Sequence, residues 1–239
     1  MCFELRGVQV RLGPSPRPPA LEGVNLRITE GERVAFIGAN GSGKSTLLRA
    51  MHGLLPLTAG LCQRPETARM AMLFQRPHML RLRAWHNVAL GLWLRGTPWR
   101  EARERAHLAL ARVGLTELAA RNGRALSGGQ QQRLALARAW ALKPDIWLLD
   151  EPTASLDPHA KREVEELIAE FTAPRAGARA TTLVFASHNL GQVKRLASRV
   201  IYLEQGHVLA DLPVNDFFNA DLLQALCPHA HLFVQGESW

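Results

Sequence analysis

The nine residues GANGSGKST, Gly38 to Thr46, limit what this chain can fold into more than any other stretch. They fit G-x-x-x-x-G-K-[ST] and stand between an apolar run, RVAFIG, and a helix-forming run, KSTLLRAMH. Strand, loop and helix in that order are the setting a phosphate-binding loop requires. Gly38, Gly41 and Gly43 let the backbone curl so that the N–H groups of the loop, which also contains Ala39, Asn40 and Ser42, point inward at a β-phosphate. Lys44 then reaches the β- and γ-phosphates, the Ser45 hydroxyl ligates Mg²⁺, and Thr46 closes the loop onto the helix. A nucleoside triphosphate is the expected ligand, and a parallel α/β sheet the expected scaffold.

A second apolar run, IWLLDEP, supplies the complement. Ile146 to Leu149 read as a buried strand with Asp150 at its carboxyl end, where it can hold Mg²⁺ through water. Glu151 follows directly. Neighbouring strand residues face opposite ways, but at a strand end the chain turns and both carboxylates can enter one site. A carboxylate near the γ-phosphate can orient and deprotonate a water, an effect worth about 10²- to 10⁴-fold in rate.

The stretch RALSGGQQQRLALARAW, Arg124 to Trp140, opens a third element. Ser127 reads as a helix N-cap, and Gly128 and Gly129 just inside it leave backbone N–H groups uncovered. Bare N–H groups at a helix start form an anion site. The chain therefore carries two phosphate-type sites.

The rest of the chain fits one domain over residues 1–239. FELRGVQVRL, LEGVNLRI and RVAFIG read as strands, with GPSPRPP as a Pro-rich turn after the first. A helix from Lys44 to about His52 precedes the short strand MAMLF. From about Ala84 to Leu142 the apolar residues recur at helical spacing, as a helical subdomain inserted in the α/β core. DIWLLD and TTLVFAS are compact buried strands, and RVIYLEQGHVLA is a closing hairpin turning at Gln205-Gly206. The formal charge is +8, yet the arginines lie among acids, as in REARERAHLALAR, with no basic run and no aromatic stacking platform. Nucleic acid is not the expected partner. No apolar run reaches bilayer-spanning length, MCFELRG lacks the features of a signal peptide, and Cys2, Cys62 and Cys227 share no metal-like spacing. A cytoplasmic protein with free thiols is expected.

LSGGQ (Leu126–Gln130) stands about twenty residues before LLDEP, Gln75 lies in FQRP, SLD spans Ser155–Asp157, and His188 lies in ASHN. In this order the motifs resemble those of the nucleotide-binding subunit of an ATP-binding cassette (ABC) transporter, over nearly the whole chain. The resemblance implies a P-loop NTPase core with a mainly parallel sheet, an N-terminal antiparallel β-subdomain and a helical subdomain at about 84–142. It implies Mg²⁺-dependent ATP hydrolysis in a head-to-tail pair of copies, each ATP lying between one copy's phosphate loop and the other's signature helix. Ser127, Gly128, Gly129 and Gln130 would then hold the partner's γ-phosphate. Gln75 would touch Mg²⁺ and the attacking water, completing a metal set with Ser45 and Asp150. Asp157 would lie at the seam, and His188 would contact the γ-phosphate beside the catalytic Glu151. The implied partners are membrane permease subunits, a second copy of the chain and, indirectly, an extracytoplasmic substrate-binding protein, at the cytoplasmic face of the inner membrane.

FQRP-x-ML-R followed by NVALGL resembles bacterial oxyanion importers, particularly the tungstate type. Import of another solute, such as phosphate or an amino acid, or export, is the alternative. A permease loop helix would dock on FQRPHMLRLRAWHNVALGL, where Met79, Leu80, Leu82 and Trp85 offer apolar area or pack the helical core. Two positions depart from the family pattern. Leu12 stands where an aromatic ring usually stacks on adenine, with Arg11 beside it as a substitute platform, and Asn189 stands where aspartate commonly follows the histidine. His52, His86 and His107 read as structural or solvated. The chain ends soon after its closing hairpin, which leaves no room for an appended regulatory domain.

Overall fold

The computed structural model describes residues 2–13, 18–154, 156–173 and 180–236. Most of the GPSPRPP turn, and Ser155 of SLD, lie outside them. Apolar alternation makes β1 (Phe3–Val10) and β2 (Leu21–Ile28) an antiparallel pair. The near-continuous apolar strands β3 (Arg33–Ile37), β6 (Ile146–Asp150) and β7 (Thr182–Ala186) are buried on both faces, as central strands of a parallel sheet must be. Between β3 and β6 run α1 (Lys44–His52), β4 (Ala59–Gln63), β5 (Met70–Leu73), α2 (Ala84–Leu94), α3 (Trp99–Arg112) and α4 (Gly128–Ala141). After β6 come α5 (Pro158–Phe171), β7, α6 (Leu190–Leu196), β8 (Arg199–Glu204), β9 (His207–Pro213), α7 (Val214–Phe217), α8 (Ala220–Leu226) and α9 (Pro228–Gln235).

The described residues form two sheets, in the orders β2-β1-β4 and β5-β6-β7-β3-β8-β9. The first is antiparallel; the second is parallel except for β9, which returns against β8 through Gln205 and Gly206, both at positive φ. This is the α/β architecture expected from the sequence, with an antiparallel N-terminal sheet and helical segments. One strand was not legible. AGLCQ becomes β4 by pairing with β1, although it is mostly exposed and carries no alternating pattern. The three short helices after the hairpin were likewise unanticipated, and they pack Phe217, Leu223 and Ala230 into the core.

The period of two along the strands separates the core into two layers. Val34, Phe36, Ile146 and Leu148 face α1 and the antiparallel sheet, whereas Ala35, Ile37, Trp147 and Leu149 face the helices on the other side. Each fully buried large side chain here contributes about 1.5–3 kcal/mol of transfer free energy. The same alternation decides where β6 ends. Asp150 falls on the α1 face, two residues beyond Leu148. No helix among the described residues is long and apolar enough to cross a membrane.

Candidate active site

The loop after β3 is bent by contacts only glycine can make. A β-carbon on Gly38 (φ +143°) would lie 2.0 Å from the Leu203 carbonyl oxygen, and one on Gly43 (φ +107°) 2.7 Å from that of Ala20. The ends of β8 and β2 thus press on the loop from outside, while Ala39, Asn40 and Gly41 stay exposed at its tip. Gly43 caps α1, so the helix begins on Lys44 with its N–H groups toward the loop. The Lys44 ammonium donates to the carbonyls of Gly38 (2.7 Å) and Ala39 (2.8 Å). Burial lowers its pKa, partly offset by the charges of Glu151 and Asp150.

At the second position of α1, the Ser45 hydroxyl donates to Asp150 Oδ1 at 2.7 Å. Asp150 is 1% exposed. Burial raises its pKa, opposed by the Ser45 hydrogen bond and by Arg49, whose guanidinium stands 3.7 Å from Oδ2. Arg49 also lies over the Phe74 ring at 6.0 Å, next to Gln75. Sequence reasoning did not single out Arg49, though its position four residues after Ser45 puts the two on one helix face.

Glu151 has φ +44°, a left-handed conformation that costs a non-glycine residue about 1–3 kcal/mol. Its N–H still donates to Ala186 of β7 at 3.1 Å, so the strand pairing holds while the side chain swings toward Asp150's side. Two groups converge on its carboxylate. His188 Nδ1 is 2.9 Å from Oε2, and the Gln75 amide donates to the same oxygen at 3.5 Å. Gln75, Glu151 and His188 come from the ends of β5, β6 and β7, the carboxyl edge where open α/β sheets bind ligands. Asn189 N-caps α6 by accepting from the Gln192 N–H, a role that asparagine fills as readily as aspartate.

The donors are a hydroxyl, a buried carboxylate and a carboxamide, the hard oxygen ligands that suit Mg²⁺. Among the described residues no three His, Cys, Asp or Glu side chains gather into a metal cage.

Ser127 to Gln130 lie elsewhere in the fold. Ser127 N-caps α4 in a capping box: its hydroxyl accepts from the Gln130 N–H, and the Gln130 carboxamide accepts from the Ser127 N–H. Gln130's side-chain oxygen is therefore committed to the cap. A β-carbon on Gly128 would meet nothing within 4 Å among the described residues, and its φ is not positive, so none of them demands glycine there. The helix packs against α2, α3, α5 and β5, while α1 packs against β6, β7 and β1. Asp157 N-caps α5, accepting from His159 and Ala160 at 3.0 Å each.

A groove of about 560 Å³ runs between β5 and α2, lined in part by Phe74, Leu80, Leu94 and Arg138. Met79 is buried in the helical core, whereas Leu80 and Leu82 are exposed. Trp85 is half-buried, stacked on His86 and under the Arg103 guanidinium. Buried Asn87 ties the segment down by accepting from the Leu80 N–H and donating to the Leu82 and Arg83 carbonyls; no pattern in the sequence marked it. Leu12 is 49% exposed, and beside it the Arg11 N–H donates to Thr58. No disulfide joins the cysteines; Cys2 and Cys227 are buried and Cys62 half-buried.

A family model described as ABC transporter matches residues 21–154. A nickel import ATP-binding protein of Rhodobacter capsulatus is 39% identical over 232 residues, 89% of this chain and 89% of that protein. An aliphatic sulfonates import ATP-binding protein of Pseudomonas fluorescens is 42% identical over 195 residues, 81% of this chain and 71% of that protein. Among solved structures, a dimeric ATP-binding cassette in a post-hydrolysis state bound to ADP and Pi is similar at a TM-score of 0.79 and 30% identity. It covers 89% of this chain and 98% of that one.

Proposed function

Because the chain belongs to the ABC transporter family and is one of its ATP-binding, ATP-hydrolysing subunits, we propose that it is the energy-coupling subunit of an importer and works as a head-to-tail pair. We read residues 1–239 as one cassette, with 84–142 as the inserted helical subdomain. In this reading each ATP is clasped by Gly38–Thr46 of one copy and by Ser127–Gln130 of the other. The observation that carries it is Gly128. Its bare backbone at the positive end of α4 has no steric cause among the described residues of its own chain, which supports a close approach from outside.

In the bound state Ser45, Asp150 and Gln75 would hold Mg²⁺, which neutralises charge on the phosphate oxygens. Lys44 transfers its donors from the loop carbonyls to the β- and γ-phosphates. Glu151 accepts a proton from the water that attacks the γ-phosphorus, and ADP carries away the electrons of the broken P–O bond. With Nδ1 on Glu151, His188 keeps the carboxylate aimed and leaves Nε2 for the phosphate side.

ATP binding draws the pair together and phosphate release lets it reopen, and a permease converts that motion into transport. The groove beside α2, with Leu80 and Leu94 on its walls, suits an amphipathic permease helix. The complex then sits at the cytoplasmic face of the membrane, with an extracytoplasmic binding protein delivering the solute. Nickel and sulfonates in the names of two relatives support import and leave the cargo open. For the cargo we favour an oxyanion of the tungstate type, on the run FQRPHMLR and the NVALGL that follows it.

The shared clasp is tested by mixing intact chain with a Ser127→Arg, Lys44→Ala double variant in equal amounts. Activity per intact subunit should fall as mixed pairs form. A flat value with mixed pairs present refutes the clasp. The cargo is tested by tungstate-stimulated hydrolysis in the reconstituted complex, against nickel and an alkyl sulfonate.

A further inference from the structure

A cavity of about 810 Å³ lies at the opposite edge of the parallel sheet from the phosphate loop. Arg69, Asp145 and Thr181, which line it, immediately precede β5, β6 and β7, roughly 15 Å of strand away from the carboxyl ends. One wall is helical, from Leu108 of α3 and Trp140 of α4; the other is Phe171 of α5 with Trp147 of β6. The two walls meet in an aromatic cluster, in which Phe171 and Trp147 are buried and Trp140 is half-buried. The Phe171 ring stands 5.5 Å from Trp140 and 6.0 Å from Trp147, and the Arg112 guanidinium lies 5.9 Å from the Trp140 ring.

The rim is cationic. Arg69, Arg105 and Lys143 line it, against Asp145 as the one carboxylate among the described lining residues. Asp145 is held by Arg69, and Arg105 pairs with Glu101 at 2.6 Å. No ion pair among the described residues joins Lys143, which sits exposed at φ +49° between α4 and β6. A void of this size with apolar walls and a few charged groups on one side has the makeup of a small-molecule site. None of these side chains takes part in the phosphate cradle.

We propose that this cavity binds an amphipathic organic anion, its apolar body against exposed Leu108 and half-buried Trp140 and its carboxylate, sulfonate or phosphate head against Lys143. Leu108 and Trp140 take the body by burial of apolar area. The surplus of positive charge at the rim selects against a neutral or cationic head. Occupancy bridges α3 and α4 to the sheet and α5, so the ligand touches both packing units at once.

The test titrates the full chain with 1-anilinonaphthalene-8-sulfonate and, in parallel, with N-phenyl-1-naphthylamine, which has the rings without the sulfonate. Energy transfer from tryptophan reports binding. One sulfonate probe per chain is expected, with Kd on the order of 100 µM or tighter. Lys143→Asn suits the left-handed backbone and removes only the charge; it should weaken the sulfonate about tenfold, about 1.4 kcal/mol, and leave the neutral probe unchanged. Leu108→Asp, at an exposed position of the helical wall, should weaken the sulfonate as well. Millimolar MgATP should not displace it. Equal sulfonate binding by wild type and Lys143→Asn overturns the proposal, as does equal affinity for the two probes or displacement by MgATP.

Discussion

Gly128→Ala separates what the chain needs from what the paired site needs. The added β-carbon meets nothing within 4 Å, and the backbone at Gly128 has no positive φ that alanine would resist. It sits at the first position of α4, where alanine narrows the unfolded ensemble and stabilises the fold by about 0.4–1 kcal/mol. In a chain of this length that raises Tm by about 1–4 °C. Across the interface the same methyl group stands where a phosphate must approach the N–H groups to about 3 Å. Losing one preorganised donor to a reacting oxyanion costs about 10²- to 10³-fold in rate, so a drop of at least tenfold is expected. Thermal unfolding without nucleotide and steady-state phosphate release with saturating MgATP give the two numbers. A higher Tm with a rate within twofold of wild type would mean that nothing closes on Gly128. A lower Tm would mean that the chain itself demands the glycine.

Four further outcomes are expected. Glu151→Gln keeps the hydrogen-bonding reach but not the base, so phosphate release should fall about 10²- to 10⁴-fold while filter-retained ATP stays near wild type. Lys44→Ala should lose ATP retention itself, because the ammonium that leaves the loop carbonyls for the phosphates is gone. Leu12→Tyr should tighten ATP at least fivefold in equilibrium dialysis, since base stacking on an aromatic ring is worth about 1–3 kcal/mol. The Ala160 N–H, with that of His159, lowers the Asp157 pKa, so this carboxylate's contribution is complete above its unfolded value of about 3.9 and is lost as pH falls through the lower folded value. Asp157→Asn keeps the cap but cannot titrate, so its urea midpoint should fall less steeply than wild type as pH drops below about 3.9.

Features written in a few consecutive residues were legible; those made by distant partners were not. Gly38 and Gly43 sit at positive φ under the carbonyls of Leu203 and Ala20, and that local demand shows in the sequence as glycine. The strand β4 shows nothing, because AGLCQ gains its conformation from pairing with β1, about fifty-five residues earlier. Met79 and Leu80 are adjacent and equally apolar, yet one is buried and the other exposed, since the turn held by Asn87 decides which faces inward. The Trp140–Phe171–Trp147 cluster joins α4, α5 and β6, and no spacing announces it.

The adjacent acids at the end of β6 show how both kinds of information meet. Strict alternation sends Asp150 to the α1 face, where Ser45 waits, and would send Glu151 to the face occupied by Trp147 and Leu149. A carboxylate buried among those side chains would be costly and chemically idle. The left-handed backbone at Glu151 prevents this, at about 1–3 kcal/mol of strain, while the N–H to Ala186 keeps the residue tied to β7. The strain is held in place by His188 and Gln75, which approach the same carboxylate oxygen from the ends of the two neighbouring strands. Two acids in a row can therefore serve one site because the sheet ends between them, and the geometry depends on β5, β6 and β7 ending in register.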